Sequence, residues 1–157
     1  MKYTRMFLVF VFVAIMCCVS CSSHSALSEF REKIDAFCVR ISQIDTAIND
    51  IDPLLENATA QLLSNLDELE MEFREFAAVS FPEEFDYLEK LSDDASAHMT
   101  DAVTLYHTLY GSDSYDEEVA ATAKEYYSRS YQCIQVIITF LHGEEPNDPD
   151  FTIEYIR

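Results

Sequence analysis

Apolar residues recur along the first half of this chain at alternating steps of three and four. The series is Leu27, Phe30, Ile34, Phe37, Ile41, Ile44, Ile48 and Ile51. Glu29, Arg31, Glu32, Lys33, Asp35 and Arg40 lie among the intervening positions. Such steps place one stripe on one helical face, the a/d seam of a heptad. The pattern therefore predicts a helix over residues 26–50, with one face buried and the rest in water. A second helix is predicted over 54–79. Its stripe is Leu55, Leu62, Leu66, Leu69, Phe73 and Phe76, with Leu63 beside it. Asp52-Pro53 separates the two, since Asp is a good N-cap and Pro is tolerated in a first turn. The heptad also reads straight through, from Ile48 and Ile51 to Leu55 and Ala58, and no Gly is present to cap the first helix. The alternative is thus one long helix kinked at Pro53.

Ser80-Phe81-Pro82-Glu83 has the form of a capping box and predicts a third helix over 81–110. Its inward face is Phe85, Leu88, Leu91, Ala95, Met99, Ala102, Tyr106 and Leu109. Gly111 reads as the residue just past its end. Ser114-Tyr115-Asp116-Glu117 reads as a second capping box, opening a fourth helix over 115–142. Val119, Ala123, Tyr126, Tyr127, Ile134, Ile137, Phe140 and Leu141 face inward there, and Gly143 stops it. Residues 144–157, with Pro146 and Pro149, read as an acidic and mostly disordered tail.

Each predicted helix has about 25 to 30 residues and would be roughly 40 Å long. Matched lengths and short loops predict an all-α, antiparallel up-down-up-down four-helix bundle over 26–143. The kinked alternative leaves Ile34, Phe37, Ile41 and Ile44 without a partner. That costs about 2 kcal/mol for each large apolar side chain, unless a homodimer covers them. The low count of two glycines and four prolines, with no tryptophan, also favours helices over strands.

The N-terminus follows a different rule. Lys2 and Arg5 precede an unbroken apolar run over residues 6–16, too short for a bilayer that needs about 20 residues. Cys18-Val19-Ser20-Cys21 follows. These residues resemble a bacterial lipobox: Val19, Ser20 and Cys21 match, and Cys18 departs where Leu is usual. The resemblance implies a lipoprotein signal peptide over 1–20, cleavage before Cys21, and a diacylglyceryl thioether (palmitate or a similar chain) on Cys21. The expected localisation is the cell membrane, lipid-anchored on the extracytoplasmic face. A short polar tether over 21–25 would lead into the bundle. An ordinary secretory signal with incidental cysteines is the plainer reading of the same residues.

Loss of residues 1–20 removes two bases and no acid, leaving 8 basic against 29 acidic residues, a charge of −21. Such a surface repels phosphates, so no nucleic-acid partner is expected. Partners chosen by charge would be basic proteins or cations.

Two cysteines remain in the domain, Cys38 and Cys133. They are either small buried apolar residues or an interhelix disulfide, which an extracytoplasmic site permits. In an antiparallel bundle they would lie at similar heights, about 18 Å and about 14 Å from the same end. Neither has a second ligand at zinc spacing. A di-iron carboxylate site needs Glu-x-x-His pairs, which are absent, and His98 and His107 sit nine apart on one helix. Asp113, Asp116, Glu117 and Glu118 do not match an EF-hand and suit a helix start. No catalytic set, metal site or cofactor motif stands out. Tyr106, His107, Tyr110, Tyr127 and Tyr131 offer a candidate partner surface, unless they simply line the rim of the bundle.

The stretches Phe81-Pro82-Glu83-Glu84-Phe85, Asp93-Asp94-Ala95-Ser96, Leu105-Tyr106-His107 and Leu141-His142-Gly143-Glu144 resemble small uncharacterised helical lipoproteins of Gram-positive gut bacteria. That resemblance implies architecture and location only. The expected role is a membrane-tethered, non-enzymatic helical interaction module with a protein partner. A small-ligand or cation-binding lipoprotein, with a pocket between the third and fourth helices, is the alternative.

Overall fold

A computed structural model describes the backbone of residues 2–143 and the side chains of residues 26–143. Residues 144–157 and the side chains of residues 1–25, Cys21 and His24 included, lie outside the described residues. The chain is an all-α four-helix bundle, and no strand occurs among the described residues. Helix α1 spans Lys2–Asn49, so its backbone includes the segment read as a tether. Helices α2 (Ala58–Ala77), α3 (Glu89–Gly111) and α4 (Glu117–Leu141) follow.

The chain divides into two compact units between Ala36 and Phe37. In the first, Phe30 and Ile34 of the heptad are buried and Lys33 pairs with Glu29 one turn away. The second holds the end of α1 with α2, α3 and α4. Its neighbours can be read from single contacts. Phe37 stacks on Phe76 at 4.4 Å and meets Phe73 edge-on at 5.3 Å, so α1 lies against α2. Thr100 Oγ1 donates to Glu70 at 2.9 Å, joining α3 to α2. His98 stacks on Tyr126 at 5.7 Å, joining α3 to α4. Tyr127 and Tyr131 reach Asp45, closing α4 back onto α1. Numbers rise on one helix as they fall on its neighbour, which is the up-down-up-down order.

The stripes read from the sequence form the core. Phe37, Ile41 and Ile44 are buried with Leu66, Leu69, Phe73 and Phe76. Leu88, Leu91, Ala95, Met99, Ala102 and Leu109 meet Ala123, Ile134, Ile137 and Leu141. Five more buried positions, Ser92, Val103, Ser130, Cys133 and Val136, were outside the predicted faces. The two serines tolerate burial because each hydroxyl donates to a carbonyl three residues back, Ser92 to Glu89 at 2.8 Å and Ser130 to Tyr127 at 2.7 Å.

The structure corrects the sequence reading at the helix ends. The long helix kinked at Pro53 does not form. Asp52 takes the Leu54 amide on its carboxylate at 2.9 Å and the Leu55 amide on its carbonyl at 3.2 Å. A further turn from Leu55 O to Ala58 N, 3.1 Å, delays α2 until Ala58. The second helix therefore starts four residues later than predicted, and Leu55 lies outside its stripe. The Ser80 box does not close either. Pro82 is the N-cap, in an extended conformation, and leads into a 3-10 helix over Glu83–Leu88 before α3 begins. Nor is Gly111 a left-handed cap; it is the last residue of α3. The Ser112 hydroxyl instead sits between the carbonyls of Leu109 at 2.9 Å and Ser114 at 2.6 Å. The cap of α4 is Asp116, two residues after Ser114. Its carboxylate accepts the amides of Glu118 at 2.9 Å and Val119 at 3.2 Å. Gly143, with φ of 73°, does end α4 in the left-handed conformation that a glycine C′ residue adopts.

Candidate functional site

The five residues read as a partner surface separate into two sets. Tyr127 and Tyr131 are one turn apart on α4, half-buried, with rings stacked at 5.1 Å. Both hydroxyls converge on Asp45 of α1. Tyr127 donates to Oδ1 at 2.6 Å, and the Tyr131 hydroxyl lies 2.8 Å from each carboxylate oxygen. Tyr131 also tilts against the buried ring of Phe73 at 5.5 Å. Burial first holds both phenols well above their usual pKa; the hydrogen bond to Asp45 adds to this at Tyr127, and the contacts with Tyr127 and then Asp45 add to it at Tyr131. They stay protonated donors at neutral pH, and neither is prepared to act as a base. This pair therefore joins helices α1 and α4 rather than standing open to a partner.

Asp45 itself escaped the sequence reading. It follows Ile44 at a heptad position taken as solvated, and an isolated acid there gives no signal. The two tyrosines four apart on the facing helix were the available clue.

Tyr106, His107 and Tyr110 form the second set, near the end of α3. Tyr110 is exposed and stacks on half-buried Tyr106 at 6.5 Å. Burial, then the phenols of Tyr110 and Tyr115, raise the pKa of Tyr106. His107 places Nε2 2.6 Å from Asp67 Oδ1 on α2. Tyr115, in the following connection, is exposed as well.

Cys38 is half-buried on α1 and Cys133 fully buried on α4, and both are thiols. Arg40 bridges α1 to α2 through Glu68 and, at 3.1 Å, Glu72. Among the described residues no group of three His, Cys, Asp or Glu is arranged to hold a metal. No helix among them is long and apolar enough to cross a membrane.

The small residues on α3 and α4 face inward. Ala95, Ala102 and Ala123 are wholly buried, so they bring the two helices together. A groove lies where α1 meets α2. Ala47, Asp50 and Ile51 line one wall. Ala60, Gln61, Ser64 and Asn65 line the other, around a volume of about 490 Å³. No protein-family model, curated protein or solved structure matches this chain.

Proposed function

We propose that this chain is an extracytoplasmic lipoprotein, held on a bacterial membrane by acyl chains on Cys21. It presents a non-enzymatic helical bundle to a protein partner. The observation that carries the second half of this reading is the Asp45–Tyr127–Tyr131 cluster. It is a shared carboxylate with two phenols kept protonated, and its hydrogen bonds are spent on joining helices. The Arg40–Glu68–Glu72 and Thr100–Glu70 contacts serve the same end. The first half rests on Lys2, Arg5, the apolar run and the lipobox-like Cys18-Val19-Ser20-Cys21. Two acyl chains anchor stably where one does not.

Metabolic labelling with a fatty-acid probe tests the anchor. Cys21→Ala is expected to lose the label and to be released or left unprocessed. A variant that stays mature and lipid-anchored shows that the wrong cysteine was chosen. Crosslinking on intact cells tests the module, and recovery of no extracytoplasmic partner counts against it. A small-ligand or cation-binding lipoprotein is the second reading. The groove between α1 and α2 favours it, with four polar side chains among its lining.

A further inference from the structure

Cations are missing from one end of the bundle. Between Ile41 and Phe73 the chain has eight acidic residues and no Lys or Arg. Between Leu91 and Ala123 it has seven and again none. The topology brings the 50–57 connection and the 112–116 connection to the same end. Glu68 and Glu72 reach back to Arg40, and Glu70 to Arg74, at the limits of the first gap. Asp50, Asp52 and Glu56, and across the same end Asp113, Glu117 and Glu118, have no cation among the described ion pairs. The chain enters this unit at Phe37, at the opposite end.

The α1–α2 groove opens at this anionic end. Ala60 and Ser64 are four apart on α2, as are Gln61 and Asn65, so each pair shares a helical face. The side chains of Asp50, Gln61, Ser64 and Asn65 make no hydrogen bond or ion pair among the described residues. Next to Ile51 in the chain, Leu54 is 90% exposed and Leu55 49%. Water-facing leucines thus adjoin uncommitted polar groups and uncompensated carboxylates.

We propose that this groove, with Leu54 and Leu55, docks a Lys- or Arg-rich amphipathic segment of a second protein. Its apolar side covers Ile51, Leu54 and Leu55, and its cations meet Asp50, Asp52 and Glu56. The proposal rests on the reading of the chain as an interaction module and gives that module a surface and a partner chemistry. Charge complementarity sets the occupant, since an anionic end free of competing cations steers a polycation towards it. The leucines select a polypeptide over a small polyamine. A polyamine would neutralise the carboxylates and leave both leucines in water, whereas an amphipathic helix satisfies both.

The test is fluorescence anisotropy on the detergent-solubilised full chain. One labelled probe is an amphipathic helical peptide with Leu on one face and Lys and Arg on the other. A second replaces every Lys and Arg by Glu. The cationic probe is expected to bind, more weakly as salt rises, and the acidic probe not to bind. The double variant Asp50→Lys, Ser64→Arg alters two exposed positions and is expected to lose about tenfold or more in affinity. Glu84→Lys, exposed at the opposite end, is expected to bind as the parent does. Equal binding of the acidic probe overturns the proposal, as does an unaffected double variant. Spermine that binds as tightly as the cationic peptide also overturns it, in favour of a small-cation site. Crosslinking on intact cells separates the two levels. A partner still captured by the double variant leaves the module standing and removes only this surface.

Discussion

Asp45 ties the first helix of the bundle to the last, and its neighbours explain why an acid is kept there. Removing the carboxylate leaves two half-buried hydroxyls without their acceptor, and each unmet group costs about 1–3 kcal/mol. Asp45→Ala is therefore expected to lower stability in chemical denaturation by roughly that amount. Ser42→Ala, at an exposed position one turn earlier, is expected to change little. The same cluster sets an alkaline limit. Tyr127 and Tyr131 have folded pKa values raised above the ordinary 10.0, so the folded state holds their protons more tightly than the unfolded chain does. Their contribution is complete below pH about 10 and is lost as the pH rises above it. The midpoint of thermal unfolding should fall steeply above pH about 10, and less steeply in Tyr127→Phe, Tyr131→Phe. A parallel fall in both proteins would show that other groups control it. None of this was legible in the sequence, because hydrogen bonding across helices leaves no periodic trace. The tyrosines were visible as an aromatic group, and only their partner reveals that they face inward.

At the scale of elements, the heptad and the α2, α3 and α4 stripes carried the fold, because burial of one face dominates helix stability. The ends were harder to read. A capping box is a pattern of residue types, whereas a cap is a conformation, and neighbouring residues compete for it. Ser114 and Asp116 both suited the start of α4, and the carboxylate of Asp116 took the two amides. Asp116→Ala should cost about 1 kcal/mol, and Ser114→Ala nearly nothing, in the same denaturation assay. The reverse order would return the cap to Ser114. At the α1–α2 junction, the apolar spacing across Pro53 suggested continuity. The Asx turn at Asp52 and the missing amide of Pro53 opposed it, and local hydrogen bonding prevailed. Leu54 and Leu55 were left in water as a result. The groove could not be read beforehand, since its existence depends on where the helices stop.

For the whole molecule, the excess of acids shapes behaviour more than it shapes the fold. A chain of net charge −19 repels itself when compact. Adding sodium chloride from about 10 mM to about 150 mM shortens the screening length from roughly 30 Å to 8 Å. The thermal midpoint of the full chain should rise over that range, and a fall would show that its ion pairs outweigh the repulsion. Most helix contacts join elements that follow one another along the chain. The seam at Asp45 is different, because Tyr127 and Tyr131 lie 82 and 86 residues further on. Sequential helix pairs close small loops and form early, while a seam of that separation bears the largest loop-closure entropy. During synthesis, α1 emerges first and waits for α4. Its stripe of Phe37, Ile41 and Ile44 is then only partly covered until the ring closes. The interval before that closure is when the chain is most open to a wrong partner, and Asp45 with its two tyrosines marks the end of it.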